Sequence, residues 1–287
     1  MNYNDDQKKV MKLLKSKDKT FLMTAPSFPI DFEYNSFVST MKKMGFNRVT
    51  ELTFGAKIIN KEYREYINSH KEQEMFITTP CPSIVNLVKS QLPEYIKYLL
   101  PFDSPMLAMA KVIKNNYPDY RIVFLSPCFA KKIEAKSSKL IDAVITFKEL
   151  KEIIINEKIA YSKKKLPFDK FYNEYTKIYP IEGGLVKTMN AKNIFKKNEM
   201  VSCSNCKNLK EIFEKNRGKK FFDLLFCIGG CIGGPGIISN ESISKKRQKV
   251  LDYKNYSEQE VMGNKRGLNK QIEGIDFKKD YTLKLEK

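Results

Sequence analysis

The feature that most limits the fold of this chain is a repeated rhythm. Short apolar runs rich in β-branched and aromatic residues each end in a turn and lead into a helical pattern. In order they read TFLMTAPSFP, NRVTEL, EMFITTPCPS, YRIVFLSPCFAKKIEA, LIDAVITFKEL, EMVSCSNCKNLKEIFEK and FFDLLFCIGG. Strands alternating with helices predict βαβ units and largely parallel sheets, an α/β fold. A helical stretch is expected at 36–44. After TTPCPS, Ile84, Val85, Val88 and Leu92 fit one helical stripe. Residues 156–180 break the rhythm and read as a long polar connection. Residues 253–287 show little apolar periodicity and read as a C-terminal tail or partner-docking segment.

The 287 residues, 42% hydrophobic and 12% aromatic, suffice for one large domain or two smaller lobes. No apolar run approaches the roughly 18 residues that cross a bilayer. The opening MNYNDDQKKV carries no signal-peptide core. A cytoplasmic location is therefore expected, with no membrane partner. Net charge is +19, from 52 Lys+Arg against 33 Asp+Glu. The lysines are spread among acids and Asn, and no nucleic-acid module surrounds them. They read as a solvated surface rather than a nucleic-acid site. The sign also suits an acidic electron-transfer partner.

All six cysteines fall at or just after strand ends. Reduced thiols in the cytoplasm point to metal or redox chemistry before disulfides. In open α/β sheets, ligands sit outside the carboxyl ends of the strands. Cys81, Cys128 and the pair Cys227 and Cys231 come from three such ends. Four thiolates converging from three loops meet the requirement of a 4Fe–4S cluster. A rival reading pairs Cys203-x2-Cys206 with Cys227-x3-Cys231 in a zinc-ribbon-like structural module. The helix-like NLKEIFEK between the pairs argues against it, and it leaves Cys81 and Cys128 unused. His70, the one histidine, lies in the charged NSHKEQE and reads as an exposed loop or helix-end residue, which disfavours a histidine-based hydrolase.

Three segments together resemble the catalytic domain of FeFe hydrogenases, in a divergent form close to the sensory groups. TTPCPSIV resembles the family's Thr-Ser-Cys-Cys-Pro signature, SPCFAKKIEA its Met-Pro-Cys-x-x-Lys-x-x-Glu, and FCIGGCIGGPG its Cys-x3-Cys followed by Gly-Gly. TAPSFP, FGAKI, DSPM and EGGLVKTM recur in the same order, so the resemblance covers roughly residues 18–252. It implies two α/β lobes of mostly parallel twisted sheet flanked by helices, with a metal cluster at the lobe interface. The lobes are expected at 18–117 and 118–252, with 253–287 as the tail. The implied cofactor is a 4Fe–4S cubane joined through a cysteine to a di-iron centre carrying CO, cyanide and a dithiolate. Matched by motif, Cys81, Cys128, Cys227 and Cys231 would ligate the cubane, and Cys231 would bridge to the di-iron centre. Lys131 and Ser27 would donate to the cyanides, and Glu134 would support Lys131. The implied partners are an electron-transfer protein such as ferredoxin and the hydrogenase maturation proteins.

The chain also departs from the pattern. Pro80 stands where active members carry a proton-relaying cysteine, Ser126 where they carry Met, and Met106 where they often carry Gln. The stretch after FGA, KIINKEYREY, gives no clear match to the acidic proton relay. The cofactor cage is thus expected to be kept and the fast proton path lost, as in an oxidoreductase or hydrogen sensor of low turnover. An iron–sulfur assembly or scaffold protein carrying only the cubane is the alternative from another class. Cys203 and Cys206 match no family ligand.

Overall fold

A computed structural model describes residues 3–173, 175–259 and 265–282. In chain order the regular elements begin with α1 (Asp5–Lys15), β1 (Thr20–Thr24), α2 (Tyr34–Met44), β2 (Arg48–Glu51), α3 (Thr53–Ser69), β3 (Phe76–Ile77), α4 (Pro82–Gln91) and α5 (Pro105–Asn116). They continue with β4 (Arg121–Ser126), α6 (Ala130–Lys136), β5 (Ala143–Thr146), α7 (Phe147–Asn156), α8 (Gly184–Thr188), β6 (Met200–Cys203), α9 (Leu209–Lys215), β7 (Phe221–Leu224) and α10 (Ile243–Glu258). Short 3-10 turns join several of them.

The strands form two sheets, both parallel. The larger has the order β2-β1-β4-β5 and the smaller β3-β7-β6. Phe21, Leu22 and Met23 of β1 are inaccessible to solvent, as are Ile122, Val123 and Leu125 of β4. Strands covered on both faces must be apolar throughout, which is why these runs do not alternate. Some helices start where the sequence offers caps. Thr146 and Glu149 form a reciprocal capping box at α7, and Ser104 accepts from the Leu107 amide ahead of Pro105 at α5. Ile84, Val85 and Val88 of the expected stripe are buried on α4.

The expected division at 117/118 does not follow the sheets. β4 and β5 join β1 and β2, while β3 pairs with β7 from the far end of the chain, Phe76 beside Phe221 and Ile77 beside Phe222. The two sheets are interleaved in chain order because parallel pairing requires crossovers.

Two segments read as peripheral are packed. Within 156–180, the Asp169 amide donates to Val49 O at 2.9 Å and the Val49 amide donates back to Asp169 Oδ2 at 2.8 Å. The connection thereby covers the outer edge of β2. Phe168, Phe171 and Tyr172 are buried beneath it. Lys177, wholly buried, pairs with Glu51 and donates to Tyr253 Oη at 2.6 Å. The C-terminal segment is likewise no surface tail across its described residues. Tyr253 is buried on α10, Phe277 and Tyr281 are buried, and Tyr281 Oη donates to Phe102 O at 2.8 Å. Among the described residues, no helix is long and apolar enough to cross a membrane.

Candidate functional site

The carboxyl ends of both sheets face one region. Cys81 follows β3 and is the N-cap of α4, where Pro82 begins the helix without losing a needed donor. Its approach is pinned by Thr79, whose amide donates to Tyr63 Oη at 2.9 Å and whose hydroxyl reaches Leu100 O at 3.1 Å. Cys128 follows β4. The Cys128 amide donates to Ser126 Oγ at 3.0 Å, and that hydroxyl donates back to Cys128 O at 3.1 Å, closing a local turn. Cys227 and Cys231 leave β7. The Gly230 amide donates to Cys227 O at 3.1 Å, and the Cys231 amide donates to Pro180 O at 2.8 Å. Gly230 has φ 91°, and a Cβ there would stand 2.7 Å from Pro180 O. A Cβ at Gly234 would stand 2.3 Å from Pro127 O. The glycines after Cys227 therefore let this loop close on the Cys128 loop.

The four sulfurs converge. Each thiol of Cys81, Cys128, Cys227 and Cys231 lies within electrostatic reach of the other three. Each residue is partly exposed as a whole, yet for three of them burial of the sulfur is the largest influence on its proton. Burial pushes the Cys227 thiol up to about 11, with Cys128 and Cys81 adding to it. Burial raises Cys231 further, and its three thiol neighbours oppose its ionisation as well. Burial also raises Cys81, against hydrogen bonds from the Phe226 and Ile84 amides and the charge of Lys131. Four neighbouring soft donors are the donor set a thiolate-bound iron cluster needs, because its irons supply the positive charge that thiolates require. Among the described residues, no three His, Cys, Asp or Glu side chains stand close enough to hold a single metal ion. A tetrahedral zinc needs its sulfurs about 2.3 Å from one point. A cubane takes each thiolate on a different iron, so its ligands stand farther apart.

Beside the sulfurs lies a cavity of about 70 Å³. Cys128, Cys231, Lys131, Pro80, Tyr179 and Asp223 line it, among apolar neighbours. Lys131 Nζ donates to Pro80 O at 3.1 Å and to Glu134 Oε2 at 2.7 Å, so the structure brings Lys131 and Glu134 together at the cavity wall. Ser27 follows two residues of the cavity wall, Ala25 and Pro26, and is wholly buried. Its Oγ has no hydrogen-bond partner among the described residues. A buried hydroxyl without a partner is uncommon and suits a donor awaiting an acceptor.

Two cavity residues escaped sequence reasoning. Asp223 sits inside β7 and is buried, accepting from Ser202 Oγ at 3.1 Å and Thr78 Oγ1 at 3.4 Å. Burial outweighs these bonds and lifts its carboxyl to about 6. Its one sequence signal was an acid within the apolar FFDLLF. Tyr179, also on the wall, has a buried hydroxyl without a partner among the described residues, and burial raises its proton affinity. Glu62, after FGA on α3, has its carboxyl raised by burial; its charged neighbours are Glu65, Lys61, Asp276 and Lys278. It is not part of the cavity wall. His70 caps the C-terminal end of α3, exposed and stacked on Tyr66.

The sequence profile for the iron-only hydrogenase large subunit, C-terminal domain, matches residues 18–235. The chain is 29% identical over 143 residues to iron hydrogenase 1 of Clostridium pasteurianum, covering 44% of this chain and 25% of that protein. It is 23% identical over 250 residues to the cytosolic Fe-S cluster assembly factor NAR1 of Encephalitozoon cuniculi, covering 77% of this chain and 67% of that protein. The match thus spans a quarter of one relative's length and about two thirds of the other's. A variant of the FeFe-hydrogenase HydA1 of Chlamydomonas reinhardtii shares the fold, with a TM-score of 0.63 at 17% identity over 93% of this chain and 91% of that one. An FeFe-hydrogenase HydA, solved to follow stepwise H-cluster assembly, superposes with a TM-score of 0.64 at 17% identity, over 85% of this chain and 88% of that one. With the profile matched over most of its length, this chain belongs to the iron-only hydrogenase large subunit, C-terminal domain family.

Proposed function

We propose that this chain binds a 4Fe–4S cluster through Cys81, Cys128, Cys227 and Cys231 and a di-iron centre in the adjoining cavity, and works as a hydrogenase-like oxidoreductase or hydrogen sensor of low turnover. One observation carries the reading: two of the four neighbouring thiols, Cys128 and Cys231, also line a cavity together with Lys131. When bound, the di-iron centre would supply hydrogen and proton chemistry, with CO, cyanide and a dithiolate as its small ligands.

The chain's own residues would bind and orient that centre. Cys231, which lines the cavity, would hold the cubane on the side of the di-iron centre. The Lys131 ammonium, partly desolvated and fixed by Glu134, offers positive charge toward anionic ligands. Ser27 offers a hydroxyl without an acceptor. Proton supply is the weak point. Pro80 fills a wall position and has neither a titratable side chain nor an amide proton. Exposed Phe129, Ile133 and Ile228 adjoin the cysteines in sequence. They suit docking of an electron-transfer protein such as ferredoxin, and loading of the centre calls for maturation proteins. A cytoplasmic setting fits reduced thiols.

The second reading, iron–sulfur assembly with the cubane alone, is favoured by the longer match to the assembly factor. Iron counting separates the two. Anaerobic reconstitution with iron and sulfide should give about four irons per chain, and co-production with a maturation system about six. A count that stays at four after maturation supports the assembly reading. Zinc in place of iron contradicts both.

A further inference from the structure

Cys203 and Cys206 lie outside the four-thiol site. Neither lines the cavity beside that site. Cys203 ends β6, and Asn205, in the left-handed region at φ 61°, turns the chain back. The turn brings the two sulfurs to 2.8 Å, with Cys206 Sγ also 3.3 Å from Cys203 O. The turn is held from outside. The Cys206 amide donates to Leu225 O at 3.1 Å, the Asn205 amide to Cys227 O at 3.2 Å, and the Gly229 amide to Ser204 Oγ at 2.9 Å. The thiols are thus paired by a braced backbone, not by chance rotamers.

Their exposures differ in a useful way. Cys206 is 1% exposed, while Cys203 is partly open to solvent. A reactive dithiol needs one accessible thiol that attacks and one sheltered thiol that resolves. A hydrogen bond from the Cys206 thiol lowers the proton affinity of Cys203, so the accessible sulfur is the one that ionises first.

We infer that Cys203 and Cys206 form a redox-active dithiol that exchanges with low-molecular-weight disulfides. Cys203 loses its proton to water and its thiolate attacks one sulfur of R–S–S–R. That S–S bond breaks, one RS⁻ leaves, and a mixed disulfide forms on Cys203. Cys206 then gives up its proton and attacks Cys203 Sγ, and the second RS⁻ leaves. Two cysteine thiols are oxidised by two electrons, one disulfide is reduced, and the two released protons convert RS⁻ to RSH. The couple abuts the Cys227 loop without belonging to the four-thiol site.

The test equilibrates the full chain anaerobically in glutathione mixtures of stepped reduced-to-oxidised ratio. Acid quenching, alkylation and peptide mass mapping follow. The peptide holding Cys203 and Cys206 should lose both alkylation sites together, following a two-electron dependence on the ratio. Cys206→Ser should hold one glutathione on Cys203, and Cys203→Ser should leave Cys206 unmodified. Should either variant lose its far-ultraviolet circular dichroism, the wild-type titration decides alone. Both thiols staying alkylatable in fully oxidised glutathione would overturn the inference. So would Cys203 bridging to one of the four site cysteines, or protection of the pair that a chelator releases.

Discussion

Lys131 donates through Nζ to the main-chain carbonyl of Pro80 at 3.1 Å, and so ties the Cys128 loop to the Cys81 loop across the cavity wall. The bond uses the carbonyl, not the side chain, of the residue that departs from the family pattern. The anchor of the lysine is therefore independent of the side chain at position 80.

Lys131→Ala is expected to harm di-iron insertion more than cubane formation. The ammonium faces the cavity, and Glu134, which it neutralises, is left buried and unpaired. Iron content after reconstitution should stay near that of the unmodified chain, while the gain on maturation falls. Equal loss in both preparations would assign the lysine to the cubane or to folding.

The four cysteines should act as a unit. Cys81→Ala, Cys128→Ala or Cys227→Ala is expected to remove most iron and lower the melting temperature of the loaded protein, because cluster binding stabilises the folded chain. The double change Cys203→Ala, Cys206→Ala should leave the iron count near its starting value. A loss of half or more in the double variant would show a second cluster.

What could be read ahead of the structure followed chain-local signals. The places of Cys81, Cys128, Cys227 and Cys231 just after strands were legible because a thiol at a strand exit has a local signature. Sheet membership was not: β3 is two residues long and finds β7 some 145 positions onward, a pairing no local pattern encodes. Tyr253, Phe277 and Tyr281 are too widely spaced to show a period, yet all three are buried. Asp223 looked like an interruption of a core strand. Its role at the cavity wall depends on Ser202 and Thr78, which meet it from the strands on either side.

Asp223 carries a pH signature. Its carboxyl is lifted from an ordinary 3.8 to about 6, chiefly by burial. The folded state then holds its proton more tightly than the unfolded state, so the stability this group contributes is greatest below about pH 4 and is lost as pH rises through about 6. At about 1.4 kcal/mol per pH unit, the change is about 3 kcal/mol. Relative to the unmodified chain, Asp223→Asn should gain about that much stability between pH 4 and pH 7, whatever its fixed cost in hydrogen bonds. Urea unfolding at both pH values checks it. A difference that does not change with pH would refute the buried-acid account.

The Lys177–Glu51 pair, wholly buried, joins the polar connection to the end of β2. Lys177→Ala should cost about 3–5 kcal/mol, since it removes the cation that compensates a buried carboxylate. The cost is read from the denaturant midpoint at constant slope. A shift within about 0.5 kcal/mol, the range of an ordinary surface change, would mean that the site is hydrated.

Pro80 sets the expected rate. One missing acid–base group costs about 10²-fold or more in turnover. Hydrogen evolution with a reduced dye should fall short of a relay-bearing enzyme by at least that factor. Pro80→Cys should raise it only partly, because Glu62 does not line the cavity wall. Rapid evolution by the unmodified chain would reveal another proton path.

The central claim is that the cavity beside Cys231 receives a di-iron centre. Infrared spectroscopy of the anaerobically matured chain tests it most directly, because CO and cyanide stretching bands fall where proteins do not absorb. The account predicts both sets of bands in the unmodified chain and their weakening in Lys131→Ala. A brown protein with a full cubane and no such bands after maturation would contradict it.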